Sequence, residues 1–426
     1  MAAATGGVVH GPDVEIDGVA FDSRVVQPGQ LFVPLVAERD GHEFIAGALT
    51  AGAAAYLTSQ PPVGGTAIDV ADTRQALMAL ATARRPTFAG PVVGITGSVG
   101  KTSTKDMLRA ALGASRTVWA NERSFNNEQG LPTTLLNTPD GCEVMVLEMG
   151  MRGFGEIAEL CAIAMPTVGV VTRVAEAHSD RLGGIDGVAR AKAELIEALP
   201  PDGIAVLNAD DHRVAAMATY ARCTVMTFGH AVGADVRVGE IVTDHHARAR
   251  FRLDTPWGAH DVVLGVSGRH MASNAAAALA VVGVLGGDVA AGVAALAEVG
   301  LTAMRMDIRH APAGGVVLDD SYNANPTSMR AALDALADLP GHRKVAVLGV
   351  MAEISDSAAE HRAIVEYAHG HGIEVLAVGT ELYGLPVCDD PVAAVGSLAS
   401  GEALLVKGSR VAGLERVAAL LVGQGA

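Results

Sequence analysis

The residues most suggestive of chemistry form a glycine-rich run, residues 94–103, which contains Gly97, Gly100, Lys101 and Thr102. Glycines allow backbone N–H groups to turn towards phosphate oxygens, and the lysine supplies a positive charge. The hydroxyl of Thr102 can reach a Mg²⁺ ion bound to the same phosphates. The run follows an apolar stretch and precedes a predicted helix, as a phosphate-binding loop does. The predicted contacts to a nucleoside triphosphate are Gly97, Ser98, Gly100, Lys101, Thr102 and Ser103.

This run departs from the strict phosphate-loop pattern at one position. The pattern has a glycine at position 95, whereas this chain has Ile95 and carries its first glycine one residue earlier, at Gly94. The alternative is a glycine-rich turn between a strand and a helix that contains a lysine by chance. The order of strand, loop, Gly-Lys-Thr and helix favours the phosphate loop over that alternative.

Two further polar side chains follow predicted strands. Glu148 comes directly after the apolar residues 144–147, which places a carboxylate at the carboxyl edge of a parallel sheet, where ligands bind. It either ends a strand or binds a metal ion, and the neighbouring phosphate loop favours the metal. His178 follows the predicted strand 168–172, and an isolated histidine there is more often structural.

A lysine lies on the apolar face of a predicted helix. In residues 188–199, Lys192 shares one helix face with Val188, Leu195 and Leu199. One explanation is that the long side chain carries its charge out to water. The other is a lysine with altered or modified chemistry at an active site.

A third group of polar residues lies in the last part of the chain. Residues 319–326 follow the predicted strand 316–318, and residues 407–410 follow the strand 403–406. Both segments are rich in hydrogen-bonding groups, and each alone is equally consistent with a simple turn. We expect the helix after the first segment to be capped by Thr327 or Ser328.

The elements that must position these residues are strands of continuous apolar character, which is typical of parallel sheets covered by helices on both faces. A helix over residues 104–112 is expected after the phosphate loop. Residues 236–263 alternate more and predict an antiparallel segment. The predicted parallel strands are residues 92–96, 144–147, 168–172 and 204–207, and then 316–318, 345–348, 375–378 and 403–406.

The chain length and its punctuation by proline and glycine predict three α/β domains. The 426 residues exceed one ordinary core. The pattern of predicted elements changes to repeated strand–helix units after Gly90 and Pro91, and a third set of units begins near Thr302. The predicted domains are residues 1–88, 89–301 and 302–426.

Composition excludes several classes of protein. Half of the residues are hydrophobic, so disorder is excluded, and a net charge of −16 disfavours nucleic acid or an anionic membrane as a partner. The four cysteines form no CxxC pair, which indicates neither a zinc site nor a disulfide framework. The first residues have no signal-peptide pattern, and the apolar residues 275–285 are too few to span a membrane. We therefore expect a cytoplasmic protein.

These motifs together resemble the Mur ligase family, ATP-dependent enzymes that form amide bonds in peptidoglycan synthesis. The family form of the phosphate loop has the outer glycine seen here at Gly94. The resemblance implies a small N-terminal α/β domain, a central P-loop ATPase-like parallel sheet and a C-terminal Rossmann-like domain. It rests on residues 22–24, 28–33, 94–105, 148–150, 191–195, 268–274, 305–306, 319–326 and 407–410.

Two strings are similar to one member of that family. Residues 124–132 and 320–326 resemble the member that joins D-alanyl-D-alanine to a UDP-N-acetylmuramoyl tripeptide. The resemblance implies that ATP phosphorylates the terminal carboxylate of the peptide and that an amine attacks the acyl phosphate. It also implies that two Mg²⁺ ions balance the phosphate charges, the second of them ligated by Lys192.

The resemblance also implies roles for individual residues. Lys101, Glu148, His178 and Lys192 are the expected catalytic residues. Thr102, Glu148, His178 and Lys192 are the expected magnesium ligands, with CO₂ on the Lys192 amine making an anionic carbamate. The remaining ATP contacts are Asn274 at the adenine, Arg305, Asp319 and Asn323. The expected contacts to the nucleotide-linked peptide and its partner are Ser23, Arg24, Asn126, Asn127, Lys407 and Arg410.

Three positions depart from the family pattern. Arg173 and Met271 stand where asparagine is common, and Val350 stands where an aspartate is usual. These changes leave the ATP residues in place and concern the two substrates that are joined. They keep a second hypothesis open, an amide ligase of natural-product metabolism that joins a different carboxylate and amine.

Overall fold

The computed structural model describes residues 1–122, 125–176, 182–352, 354 and 357–423. The strands of these residues form three separate sheets, and the sheets follow one another along the chain. This arrangement agrees with the three predicted α/β units. The domain boundaries after residues 88 and 301 remain predictions.

The first sheet has five strands in the order β1-β5-β4-β3-β2. Strand β1 is antiparallel to β5, and the other neighbours are parallel. The strands are β1 (Val8–His10), β2 (Val19–Ala20), β3 (Leu31–Phe32), β4 (Ala55–Thr58) and β5 (Ala67–Asp69). The helices are α1 (Ala2–Thr5), α2 (Ile45–Thr50) and α3 (Thr73–Arg84).

The second sheet has ten strands, and its parallel part carries the candidate site. Strand β6 lies between β8 and β9, parallel to both. The predicted antiparallel segment is confirmed, because β14 pairs antiparallel with β12, β13 and β15. The strands are β6 (Val92–Thr96), β7 (Val118–Ala120), β8 (Val144–Glu148), β9 (Val168–Val171), β10 (Ile204–Asn208), β11 (Thr224–Gly229), β12 (Val236–Val238), β13 (Val242–Thr243), β14 (Arg248–Thr255) and β15 (Gly258–Ser267).

The helix after the phosphate loop begins earlier than the sequence predicts. It starts at Lys101 rather than Thr104, because Gly100 adopts a left-handed conformation (φ 86°) that lets the helix begin at the next residue. The helices of this part are α4 (Lys101–Gly113), α5 (Gly130–Leu136), α6 (Glu156–Ala164), α7 (Ile185–Glu197), α8 (His212–Ala216), α9 (Met271–Val284) and α10 (Val289–Leu296). Helix α9 is buried nearly all round, which agrees with its alanine-rich sequence.

The third sheet has five strands in the order β16-β17-β20-β18-β19, of which only β16 is antiparallel to its neighbour. The strands are β16 (Asp307–His310), β17 (Val316–Asp319), β18 (Arg343–Leu348), β19 (Glu374–Ala377) and β20 (Glu402–Lys407). The helices are α11 (Pro326–Asp338), α12 (Ser357–Gly370), α13 (Pro391–Val395) and α14 (Glu415–Leu421).

The predicted cap of helix α11 is wrong. Asn325 caps this helix, and its side chain accepts a hydrogen bond from the backbone N–H of Ser328, whose hydroxyl in turn contacts the cap residue. Pro326 follows as the first helical residue, a position where its missing N–H costs nothing.

Helix α3 packs into two hydrophobic cores. Ala76, Leu77 and Leu80 belong to the core beneath the first sheet. Met78 and Ala81 belong to a core of the second sheet. The described residues contain no helix that is both long enough and apolar enough to cross a membrane.

Candidate active site

The phosphate loop connects β6 to α4 and is held in shape by close backbone approach. Gly97 has φ 150°, and a Cβ atom at this position would lie 1.9 Å from the hydroxyl oxygen of Thr172. That hydroxyl donates a hydrogen bond of 2.6 Å to the carbonyl of Val99. Only glycine therefore fits at position 97.

Lys101 opens helix α4 and lies across the loop. Its Nζ atom donates a hydrogen bond of 2.6 Å to the carbonyl of Gly97. Burial lowers the pKa of this amine and the charge of Arg305 adds to the shift, while the charge of Glu148 opposes it. The amine thus lies against the backbone of the loop, the place that phosphate binding requires.

The next residue of the helix contacts the carboxylate at the end of β8. The Thr102 hydroxyl donates to Oε2 of Glu148 at 2.8 Å, and Nδ2 of Asn126 donates to Oε1 at 2.7 Å. Both Thr102 and Glu148 are 1 % exposed. The structure therefore joins the predicted phosphate loop, the predicted metal ligand and one predicted substrate residue.

Asn121 was missed by the sequence reasoning. Its side-chain oxygen accepts from the backbone N–H of Glu148 at 2.6 Å, and its Nδ2 donates to the carbonyl of Phe125 at 2.6 Å. Lys105 donates to the backbone carbonyl of the same asparagine at 2.8 Å. A lone asparagine after a short strand carries no sequence signal for this role.

Lys192 lies in helix α7 and is 3 % exposed. Burial lowers the pKa of its amine well below the ordinary value, and the nearby charge of Lys101 adds to the shift. Its side chain forms no hydrogen bond or ion pair with any other described residue. The hypothesis that it carries its charge to water does not fit this burial. A buried amine whose pKa is lowered fits a lysine that is modified by CO₂.

The residues present fit a magnesium ion that is completed by phosphate oxygens. The described residues contain no group of three or more histidine, cysteine or acidic side chains close enough to hold a metal by themselves. Magnesium commonly uses only one or two carboxylates together with substrate phosphates and water. Glu148 and Thr102 beside the loop match that donor set. Of the other two predicted ligands, Lys192 is buried in helix α7 and His178 lies outside the described residues.

The segment that leads towards position 178 is fixed on the phosphate loop through Ser98. The Ser98 hydroxyl both donates to the carbonyl of Ala175 and accepts from its N–H, each at 2.9 Å. The next residue is Glu176, whose Oε2 atom is buried without a hydrogen-bond partner. A buried carboxylate oxygen without a partner beside a phosphate loop is a further candidate cation contact.

Arg305 reaches the site from the third part of the chain. It donates a hydrogen bond of 3.0 Å to the Thr102 hydroxyl, and its guanidinium lies 4.2 Å from the ring centroid of Tyr322. Its Nε atom is buried without a partner. Met304 and Met306 on either side have left-handed backbones, with φ of 62° and 53°. Such backbone strain at residues other than glycine is typical of functional segments.

The polar cluster of the third sheet is brought together by the parallel strands β17 and β20. Asp319 is 1 % exposed and accepts from the hydroxyl of Ser321 at 2.6 Å. Burial raises the pKa of this carboxyl, opposed by the Ser321 hydrogen bonds and the charge of Arg309. Lys407 is buried, pairs with Asp320 and donates to the carbonyl of Asn323 at 2.9 Å.

Three other predicted ATP residues occupy different settings. Asn274 is 8 % exposed and lies against the loop, because a Cβ atom at Gly100 would approach its side-chain oxygen to 2.6 Å. Its Nδ2 donates to the sulfur of Met271 at 3.4 Å. Ser103 is buried in the first turn of α4, whereas the side chain of Asn323 is exposed.

The remaining predicted substrate residues are spread over all three parts of the chain. Ser23 is half-buried, and the exposed Arg24 pairs with Asp22 at 2.6 Å. Asn127 accepts from the N–H of Gly130 and so lies at the start of helix α5. Arg410 is exposed and pairs with Glu415 at 3.1 Å.

Comparison with family models matches most of this site. The Mur ligase middle domain matches residues 95–282, and the "Mur ligase, glutamate ligase domain" matches residues 304–410. The first range contains the loop, Glu148, Lys192 and Asn274. The second contains Arg305, Asp319 and Lys407.

Named relatives cover nearly the whole chain. It is 38 % identical over 468 residues to the UDP-N-acetylmuramoyl-tripeptide–D-alanyl-D-alanine ligase of Mycobacterium tuberculosis, with 95 % of this chain and 92 % of that protein covered. The structure of UDP-N-acetylmuramoylalanyl-D-glutamyl-2,6-diaminopimelate–D-alanyl-D-alanyl ligase from Acinetobacter baumannii superposes with a TM-score of 0.87 at 31 % identity, covering 99 % and 97 %.

A third similar protein bears on the nucleotide. The MurF ligase of Thermotoga maritima, solved in complex with ADP, superposes with a TM-score of 0.85 at 29 % identity, and the match covers 97 % of this chain and 99 % of that one. The predicted fold class and the predicted ligase chemistry are confirmed by these similarities. The matched ranges contain the phosphate loop, the Thr102–Glu148 contact and the buried Lys192. This chain therefore belongs to the Mur ligase family of ATP-dependent ligases.

Proposed function

We propose that this protein joins D-alanyl-D-alanine to a UDP-N-acetylmuramoyl tripeptide at the expense of ATP. The observation that carries the proposal is the contact between Thr102 and Glu148, with Lys101 beside it and the amine of Lys192 buried. The strongest support for the substrates is that relatives covering nearly the whole chain bear the name of this ligase.

The reaction has two chemical steps. A carboxylate oxygen of the tripeptide attacks the γ-phosphorus of ATP, and the bond to the bridging oxygen of ADP breaks. The free amine of D-alanyl-D-alanine then attacks the acyl carbon, an amide bond forms, inorganic phosphate leaves and the amine nitrogen loses a proton. The chemistry is mainly charge stabilisation and alignment, which a preorganised site can supply.

The residues of this chain have distinct proposed tasks. Lys101 and the amides around Gly97 and Gly100 bind the phosphates. Arg305, supported by the ring of Tyr322, lies where it can reach the same phosphates. Glu148 places a buried carboxylate beside the phosphate loop. This negative charge favours a bound cation there, because it would repel an anion.

Two magnesium ions are proposed. Thr102, Glu148 and His178 would serve the magnesium ions, and Lys192 in its carbamylated form would ligate the second of them. A bound Mg²⁺ neutralises charge on the phosphate oxygens as phosphoryl transfer proceeds. Asn121 and Asn126 keep Glu148 in place through its backbone N–H and its side chain.

The acceptor side is assigned to the first sheet and the segment that follows β7. Ser23, Arg24, Asn126 and Asn127 are proposed to contact the nucleotide-linked peptide. Asn274, Asp319 and Asn323 are proposed to contact ATP. Lys407 and Arg410 are proposed to lie near the incoming dipeptide. A cytoplasmic location remains part of the proposal, as does the lack of nucleic-acid and membrane partners.

The natural-product hypothesis differs only in the pair of substrates. The relatives support the peptidoglycan pair, whereas Arg173, Met271 and Val350 remain departures without a demonstrated effect on specificity. Phosphate release should be measured with UDP-muramoyl tripeptides ending in diaminopimelate or lysine, each with D-alanyl-D-alanine, and with a panel of other carboxylates and amines. Turnover of another pair without turnover of either tripeptide would refute the proposed substrates.

A further inference from the structure

The edge strand of the first sheet is completed by a side chain from the second part of the chain. Strand β2 pairs with β3 and lies at the end of its sheet. Asn137, directly after helix α5, fills the open side. Its Oδ1 atom accepts from the backbone N–H of Val19 at 2.7 Å, and its Nδ2 atom donates to the carbonyl of Val19 at 2.9 Å. One amide group thus takes the place of a neighbouring strand.

The residue before Val19 shows how close this approach is. A Cβ atom on Gly18 would lie 2.7 Å from Oδ1 of Asn137, and Gly18 has φ 87°, a left-handed conformation. Glycine is therefore required at position 18 for two reasons, and one of them is the asparagine amide itself.

Other contacts fix the same junction. The rings of Phe21 and Phe125 lie 5.4 Å apart. The guanidinium of Arg85, at the end of α3, donates to the backbone carbonyls of Ala164 and Met165 at the end of α6. Together with the shared packing of α3, these contacts hold the first sheet on the second.

The segment that carries Asn137 also contacts the catalytic carboxylate. Asn121 and Asn126 bind Glu148, and Asn137 binds Val19, near one end of helix α5. The proposed acceptor residues Ser23 and Arg24 follow Val19 after a few residues. A single segment therefore connects the acceptor side of the site to Glu148.

We infer that Asn137 is a positioning residue, which fixes the acceptor-binding loop of the first sheet relative to Glu148 by pairing with Val19. This inference rests on the proposed function. Asn137 does not touch the reacting atoms, so it acts on how well the nucleotide-linked peptide is placed. The proposed ATP contacts lie in the second and third parts of the chain, so ATP binding should be insensitive to the pairing.

The test compares steady-state kinetics of the full-length wild type, Asn137→Ala and Asn137→Asp. The aspartate keeps the size of the side chain but replaces the Nδ2 donor by an oxygen that faces the Val19 carbonyl. In both variants we expect the KM for UDP-muramoyl tripeptide to rise about tenfold, the factor expected from one or two lost hydrogen bonds. The KM for ATP and kcat should change less than about twofold. Asp140→Ala, at an exposed position nearby in the chain, is the matched control.

Asn137→Asp, which keeps the size of the side chain, protects the test against an alanine variant that fails to fold, and Gly18→Ala approaches the same contact from the other side. We expect it to raise the same KM, and the combined Gly18→Ala, Asn137→Ala variant should fall short of the product of the single effects, because the clash is gone. An equal rise in both KM values, an unchanged KM or strictly multiplicative effects would overturn the role of Asn137. Absence of wild-type turnover would instead overturn the proposed function, and this inference with it.

Discussion

The hydroxyl of Thr102 donates a 2.8 Å hydrogen bond to Oε2 of Glu148, and this contact joins the phosphate loop to the end of strand β8. The two residues are 46 positions apart in the sequence and are brought together because β6 and β8 are neighbouring parallel strands. The carboxyl ends of such strands meet at one sheet edge, which is where open α/β sheets bind their ligands. The Glu148 carboxylate therefore lies beside the phosphate loop, where a change to it should affect catalysis.

Replacing the carboxylate by an amide of the same shape should abolish most activity. We expect Glu148→Gln to lower kcat by about 100- to 1,000-fold, because a preorganised charge in a buried site is lost. Phosphate release measures the rate, and calorimetric titration with ADP and Mg²⁺ measures binding. The exposed Glu159→Gln should behave as the wild type. A Glu148→Gln enzyme with normal kcat would exclude Glu148 as a functional ligand.

Lys192→Ala should lose activity, and added short-chain carboxylates should partly restore it. A buried amine with a lowered pKa can react with CO₂ to give an anionic carbamate, and a small carboxylate can occupy the space that the shortened side chain leaves. Removal of dissolved CO₂ should lower the wild-type rate in parallel. Lys344→Ala serves as the control lysine. Loss without any rescue, together with a wild-type rate that is indifferent to CO₂, contradicts the carbamate.

Arg305→Ala should lower kcat/KM for ATP by about 10- to 100-fold, the range expected when hydrogen bonds to a charged group are lost. The ring of Tyr322 supports the guanidinium from 4.2 Å. Tyr322→Leu should therefore give a smaller loss in the same parameter, about two- to fivefold. Both effects are measured by varying ATP at saturating tripeptide. A larger effect of the tyrosine than of the arginine would argue against this arrangement.

Stability at low pH should depend on the ion pair between Asp244 and Arg248. Burial acts to raise the pKa of Asp244, but hydrogen bonds from Arg248 and from backbone N–H groups outweigh it and hold the pKa at about 2, against 3.8 normally. A lowered native pKa means that this stabilisation is present above pH 4 and is lost as the pH falls through 2.

The corresponding variant is Asp244→Asn. We expect it to lower the free energy of unfolding by about 2 kcal/mol near pH 6, from the size of the pKa shift. Denaturant unfolding at several pH values should show the difference from wild type narrowing below pH 4. The exposed Asp261→Asn, in the neighbouring strand, should show no such trend. A constant difference at all pH values would assign the effect to something other than ionisation.

Much of the site is readable from contiguous motifs, because the loop and Glu148 each follow an apolar strand and Lys192 lies on the apolar face of a helix. The sequence does not reveal contacts that depend on folding. Asn121 and Asn126 reach Glu148 only because β7 and β8 pair, and no local pattern marks that contact. Lys407 similarly finds Asp320 across neighbouring strands.

Two predicted helix boundaries, the cap of α11 and the start of α4, differ from the structure for reasons that lie in the neighbouring residues. Asparagine, serine and threonine are comparable helix caps, so the choice between Asn325 and Thr327 or Ser328 depended on Pro326, which marks the first helical position. Helix α4 begins three residues before its predicted start, because the left-handed backbone of Gly100 lets the helix begin at Lys101.

The double packing of helix α3 limits how the protein can be divided for separate expression. A recombinant fragment that ends at residue 88 would carry Met78 and Ala81 without the core of the second sheet that covers them. These side chains would form an exposed apolar patch that promotes aggregation. A fragment that begins at residue 89 would lack helix α3 and would expose the core residues of the second sheet that Met78 and Ala81 cover. Soluble material for ligand screening or isotope labelling should therefore retain the first two sheets as one piece.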